Sequence, residues 1–216
     1  YEIIEYPIDV VIPNKEWAQK ELMFDPEYKH IVIVGLFTER KNQGYAFEMA
    51  KKVSNENIMF HFLGNQADNF RHYWEPLMND CPDNCLVWGE RSDVDTFLQA
   101  SDLFLFPSRG DKNNKELNPI AIKEAIKYEL PMMMFNLDVY CGKYNDNPKI
   151  KFMIGDINQD TQILLNTLGI TNVSSMFDIL YDSESNKIDL IYKYNEKLNL
   201  NVVIKCMTSD APMYLF

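Results

Sequence analysis

Two glutamates in a Glu-x7-Glu spacing, Glu116 and Glu124, bracket a helix start in the segment PSRGDKNNKELNPIAIKEAIKYELP, which runs from Pro107 to Pro131. Backbone N–H groups at a helix start lack an intrahelical acceptor and favour an anion. Carboxylates beside them accept hydrogen bonds from hydroxyl groups. A ligand with phosphates at one end and hydroxyls at the other, such as a sugar nucleotide, satisfies both. Without further context the same residues also read as a solvated helix glutamate and a loop charge.

Two more sets of polar residues stand in comparable places. Gly35 closes the run His30-Ile31-Val32-Ile33-Val34, and Arg40-Lys41-Asn42 follow before a helix. A glycine there lets a ligand approach the backbone closely. Gly89, Glu90, Arg91 and Ser92 follow the run Cys85-Leu86-Val87-Trp88. The bland alternatives are a solvated Arg-Lys pair and an ordinary turn capped by Ser92.

The elements that must position these residues are legible from hydrophobic pattern. Short apolar runs at 30–34, 58–63, 85–88, 103–106, 132–135 and 151–154 read as strands covered on both faces. Helical patterns fall between them at about 43–53, 68–78, 92–100 and 118–128, and after them at 156–168, with Asn118 as N-cap, Pro119 at the first helical position and Pro131 ending the 118–128 helix. Strands alternating with helices predict an α/β, doubly wound, parallel Rossmann-like sheet with its ligand crevice at the C-terminal strand ends. All three polar sets follow such an end. Phe70, Tyr73, Trp74 and Leu77 form an aromatic stripe better suited to a core than to base stacking. In the lead-in, Trp17 and Leu22 are the expected packing residues of a short helix over 14–24.

Composition narrows the classes. With 46% hydrophobic and 25% charged residues the chain is globular in composition. A net charge of −11 argues against a nonspecific nucleic-acid binder, which needs a basic stripe, but allows a local basic pocket for one diphosphate. No apolar run approaches the ~20 residues of a membrane span. The cysteines, Cys81, Cys85, Cys141 and Cys206, lack the clustering of a metal site and read as reduced thiols in a cytoplasmic protein. From about Thr171 the pattern changes to alternating strands separated by Asp, Ser, Asn and Lys turns, at 176–180, 187–192, 201–205 and 213–216. The expected organisation is therefore a lead-in over 1–30, a Rossmann-like domain over 31–170 and a β-rich segment over 171–216 that resembles the start of a β-sandwich.

On these residues the chain resembles the C-terminal, donor-binding half of the family 4 glycosyltransferases of the GT-B fold. That family's pattern is a strand ending in Pro-Ser, then Glu-x7-Glu with Ala after the second Glu, then a Gly-x-Pro turn. Here those elements are Phe106-Pro107-Ser108, Glu116, Glu124-Ala125 and Glu129-Leu130-Pro131. Leu117-Asn118 stands where the family has Phe-Gly, Glu129 where it has Gly, and Leu36 where it has the Arg that follows Gly35. The resemblance covers about Ile31 to Ile154.

It implies a retaining enzyme that moves a hexosyl group from a UDP-, GDP- or ADP-linked donor to an acceptor, with no metal or further cofactor. The domain that binds the acceptor would precede this segment. Lys41 and the helix start at Asn118-Pro119 would stabilise the leaving diphosphate, with Gly35 making room and Arg40 supplying the charge missing at Leu36. Glu116 would hold the donor sugar's hydroxyls and Glu124 the ribose, while Glu90, Arg91 and Ser92 would pass the base. The alternatives are a noncatalytic scaffold that keeps the sheet without the site, or another GT-B enzyme such as an epimerase, which would use different carboxylates and histidines.

Overall fold

The computed structural model describes residues 14–109, 116, 119–140 and 142–170, and the backbone of two further strands at 177–182 and 187–192. Six strands, β1 (Lys29–Val34), β2 (Ile58–Leu63), β3 (Cys85–Gly89), β4 (Leu103–Phe106), β5 (Met132–Phe135) and β6 (Ile150–Met153), form one sheet. Their order is β3-β2-β1-β4-β5-β6, and every pair is parallel. The strand order reverses between β1 and β4, which makes the C-terminal ends of those two strands the switch point of the sheet.

Alternation along the strands explains why they read as unbroken apolar runs. Ile31, Ile33, Leu103, Leu105 and Met133 face one cluster, completed by α2 (Gln43–Lys52), α3 (Arg71–Asn79) and α6 (Ile157–Thr167). Val32, Phe104, Phe106, Met132 and Met134 face the other, completed by α1 (Lys15–Glu21), α4 (Val94–Ala100) and α5 (Ile120–Lys127). Both faces are buried, so no polar residue is needed at period two. Each fully buried Phe or Ile contributes about 1.5–3 kcal/mol. The aromatic stripe on α3 is core: Trp74 and Leu77 pack on the first cluster, and the Tyr73 hydroxyl accepts from Gly44 N at 3.1 Å.

The stretch expected to be a lead-in is, from residue 14 on, part of the same compact unit, which ends at Ile170. Lys15 pairs with Asp102 at 2.7 Å, and Gln19 donates to Ala100 O at 3.1 Å. Ala18 and Phe24 provide the buried contact of this segment, whereas Trp17, expected to pack, is 48% exposed. Phe24 covers a buried chain of side chains drawn from β1, β2 and β3. It stacks on the rings of His30 and His61, which are bonded Nδ1 to Nε2 at 2.9 Å, and Trp88 Nε1 donates to His61 Nδ1 at 3.1 Å.

The boundaries of α4 and α5, which flank the polar loops, differ from the sequence expectation. Helix α4 begins at Val94 rather than Ser92, and the Asp93 side chain at its cap makes no capping bond because Arg91 holds both carboxylate oxygens, at 2.8 and 2.6 Å. Helix α5 begins at Ile120. Pro119 occupies the cap position with an extended ψ of 114°, not the first helical position, and Asn118 lies outside the described residues. At the other end of α5, Glu129 adopts a φ of 53° and lets Leu130 N reach Ala125 O and Glu129 N reach Ile126 O. This is the left-handed helix stop for which glycine is the usual residue.

Close approach at the strand ends also demands a glycine. A Cβ on Gly64, after β2, would stand 2.0 Å from the carbonyl oxygen of Gly35, after β1. The β-rich segment is a separate unit from Thr171 on, in which β7 (Phe177–Asp182) pairs antiparallel with β8 (Lys187–Tyr192) from Phe177↔Tyr192 to Asp182↔Lys187. The further strands expected at 201–205 and 213–216 lie outside the described residues.

Candidate functional site

The loops that leave β1 and β4 bring three side chains to one carboxylate oxygen. Glu116 is 4% exposed, and its Oε1 is reached by Lys41 Nζ at 2.6 Å, by Arg40 at 2.5 Å and by the Ser108 hydroxyl at 2.7 Å. The backbone fixes this knot. Arg109 N donates to Arg40 O at 2.9 Å, the Ser108 Oγ that donates to Glu116 lies 3.0 Å from the same carbonyl oxygen, and Asn42 Nδ2 donates to Pro107 O at 3.1 Å. Across the switch point, therefore, the β1 loop and the β4 loop are laced together.

Lys41 is aimed by its own surroundings. Asn42 takes a left-handed φ of 55°, and the turn before it is closed by Asn42 N donating to Thr38 O at 3.1 Å. The lysine stem then passes over Gly35, where a Cβ would meet its methylenes at 3.2–3.3 Å, and its ammonium ends 4.9 Å above the ring of Phe106. Gly35 thus makes room for the lysine. Gln43 holds the turn from beneath by donating to Gly35 O and Leu36 O, each at 3.1 Å.

The charges in the knot respond unequally to burial. Burial pulls the Lys41 ammonium below its ordinary value, and the attraction of Glu116 only partly restores it. Burial pushes the Glu116 carboxyl up, but the Lys41 and Ser108 bonds and the Arg40 charge outweigh it, and the carboxyl stays below the usual range. One carboxylate facing two cations and a hydroxyl has a surplus of donors. The knot is therefore an anion with excess positive charge around it, and that excess is available to a second anion.

Of the residues singled out from the sequence, Glu116, Lys41, Arg40 and Gly35 come together. Pro119 is buried at the cap position of α5, where its own side chain makes no capping bond. Glu124, one turn into α5, is half-buried apart from the knot. Burial, and then the nearby Asp95 of α4, raise its pKa against the pull of Lys127. Glu90 is exposed after β3. The guanidinium of Arg91 is spent on Asp93 and lies over the rings of Trp88 and Phe97. Among the described residues, no group of three or more His, Cys, Asp or Glu could hold a metal ion.

Two side chains had no role assigned to them from sequence. Ser108 donates to Glu116 Oε1 beside the carbonyl oxygen of Arg40, and in the turn after β5 burial, and then the charge of Glu116, raise the pKa of the Tyr140 phenol. The position of Tyr140 after a strand's C-terminal end was the available signal. Open hollows of about 480 Å³ beside Tyr28, Asn57 and Asn84, and of about 350 Å³ beside Glu129 and Lys149, lie toward the N-terminal ends of the strands, away from the knot.

A family described as glycosyl transferases, group 1, matches residues 14–162, which is most of the chain and contains all of this geometry. The chain belongs to that family. Its described sheet, with the switch point between β1 and β4, is the Rossmann-like sheet of a GT-B glycosyltransferase domain. Solved structures with the same fold include WaaG, a glycosyltransferase involved in lipopolysaccharide biosynthesis, at 21% identity and a TM-score of 0.59, covering 74% of this chain and 43% of that one. HepE of Anabaena, solved in complex with UDP and glucose, has 12% identity and a TM-score of 0.65, covering 74% and 45%. Sucrose-phosphate synthase of Thermosynechococcus elongatus has 14% identity and a TM-score of 0.60, covering 74% and 41%. The chain thus spans less than half the length of these glycosyltransferases. No curated protein sequence matches it. Among the described residues, no helix is long and apolar enough to cross a membrane.

Proposed function

We propose that this chain is the donor-binding half of a retaining, nucleotide-sugar-dependent glycosyltransferase, which passes a hexosyl group to an acceptor held by a domain outside this sequence. The observation that carries the reading is the convergence of Lys41 and Arg40 on one buried carboxylate, Glu116, at the switch point of a parallel sheet. Membership in a glycosyltransferase family supports it.

In this reading the donor diphosphate lies beside Lys41 and Arg40, with the first turn of α5 facing it. Transfer breaks the bond between the sugar carbon and the diphosphate oxygen, and the electron pair stays with the diphosphate. The acceptor oxygen forms the new bond, and its proton passes to the departing phosphate. The negative charge that grows on the leaving oxygen meets fixed positive groups in a partly dry site, where such groups lower a barrier by several kcal/mol. Drawing the two cations toward phosphate also releases Glu116 to accept a hydroxyl of the sugar. Glu124 takes the ribose hydroxyls.

Isothermal calorimetry of the 216-residue chain against UDP-, GDP- and ADP-sugars tests the proposal. Binding to one of the series is expected, weakened when Glu124 is changed to Gln. Absence of binding to every donor at millimolar concentration overturns it.

A further inference from the structure

The anion that holds the knot together is the protein's own. Glu116 Oε1 is reached by Lys41 Nζ at 2.6 Å, by Arg40 at 2.5 Å and by the Ser108 hydroxyl at 2.7 Å, and among the described residues neither cation pairs with any other carboxylate. The Lys41 and Ser108 bonds hold the Glu116 pKa below the usual range against its burial, so the carboxyl is charged at neutral pH. The side chains of Glu116 and Lys41 are 5% and 15% exposed, and their charges meet where little water screens them.

The loops do not depend on this carboxylate for their shape. Arg109 N bonded to Arg40 O, Asn42 Nδ2 bonded to Pro107 O and Gln43 bonded to Gly35 O and Leu36 O fix the backbone, and the Lys41 stem rests against Gly35 with its ammonium over Phe106. A glutamate serving only as a brace is redundant beside these contacts. What Glu116 adds is charge. Any phosphate that comes to Lys41 and Arg40 comes to a few ångströms from the carboxylate that both already touch, and like charges at that range in a half-dry site oppose each other more than in water.

A bare diphosphate must share the two cations with Glu116, or draw them off and leave a buried charge unpaired. A diphosphate with a sugar attached also brings hydroxyl groups, and a carboxylate accepts from hydroxyls. The same glutamate therefore opposes the first ligand and favours the second. Resting on the donor-binding reading above, we propose that Glu116 is an internal competitor at the diphosphate subsite: it occupies the cations of the empty site and makes the site prefer a sugar-loaded nucleoside diphosphate over the bare nucleoside diphosphate left after transfer.

The test is calorimetry at pH 7 of wild type, Glu116→Gln and Glu116→Asp with a nucleoside diphosphate and with its glucose conjugate, in whichever of the UDP, GDP and ADP series the wild type binds. Glutamine keeps the shape and an acceptor for Ser108 but removes the charge; aspartate keeps the charge but draws it back by one methylene. Glu116→Gln should bind the bare diphosphate roughly tenfold more tightly than wild type, the size of one charge-assisted contact, and its preference for the glucose conjugate should fall by a similar factor. Glu116→Asp should shift both in the same direction by less, and decides by that sign if Glu116→Gln does not fold. A brace would give the opposite sign, because loosened cations bind every phosphate ligand more weakly. Unchanged or weakened diphosphate affinity, or an undiminished preference for the conjugate, overturns the assignment. If wild type binds no member of any series at millimolar concentration, the donor-binding reading fails and takes this inference with it. If wild type binds and Glu116→Gln binds the diphosphate no better, this inference fails alone.

Discussion

Acidification should unfold this protein through the buried histidines of β1 and β2 before its carboxylates titrate. Trp88 donates to His61 Nδ1, so His61 carries its proton on Nε2 and gives it to His30 Nδ1; His30 then donates from Nε2 to Asp25 O at 2.9 Å. Each ring is neutral in this chain, and an added proton on either would face another N–H donor. Burial, and then the neighbouring His30, pull the His61 pKa down to about 3, and burial lowers that of His30. Between the ordinary value near 6.5 and that depressed value the unfolded chain binds protons that the folded chain refuses, so stability is complete above about pH 6.5 and falls as pH drops. At pH 5 the loss from His61 alone is about 2 kcal/mol, at 1.36 kcal/mol per pH unit over roughly 1.5 units, or about 4–8 °C in melting temperature. His30 adds in the same direction. Glu116 and Asp102, whose pKa values are depressed, lose their contribution only at still lower pH, and Glu124, raised by burial, opposes weakly in acid. Urea unfolding at pH 7, 6 and 5, on wild type and on a His30→Phe, His61→Phe double variant, measures the slope. A wild-type stability that stays flat over this range, or a double variant that keeps the full slope, would refute the reasoning.

Four further substitutions test the geometry. Gly64→Ala places a Cβ 2.0 Å from Gly35 O, forces β1 and β2 apart at the site end, and should destabilise by about 3 kcal/mol or more in chemical denaturation. Met23→Gly relieves a left-handed residue, φ 53°, at the end of α1, where the exposed side chain contributes little; thermal melting should show a gain of about 1 kcal/mol, and Glu129→Gly should shift the same way. Lys41→Met keeps the stem over Gly35 and Phe106 but removes the ammonium, and calorimetry should show donor affinity reduced about 10- to 100-fold, the range for one charge-assisted contact.

Much of the fold could be read along the chain because burial on both faces writes a local signature. The strands at 58–63, 103–106 and 132–135 have the boundaries expected from their apolar runs. Helix starts were less legible where a cap residue had a competing partner, as when Arg91 takes the Asp93 carboxylate, or where Pro119 kept an extended ψ. Trp17 was misjudged because a short amphipathic helix does not say which of its large residues meets the sheet. Within the site, the residue types and their position after strand ends pointed to Lys41 and Glu116, while Ser108 stood in the quoted Pro-Ser strand end with no role assigned to it.

Residue chemistry and period thus specify a parallel α/β sheet and nominate a lysine and two glutamates for work on a phosphorylated sugar, since both depend on neighbours a few positions away. Which carboxylate meets the lysine depends instead on strand order. Placing β4 beside β1 brings Glu116 to Lys41 across 75 positions of chain, while the turn of α5 carries Glu124 toward Asp95. The protonation of His30 and His61 has the same origin: it arises from groups far apart in sequence that packing has shut away from water.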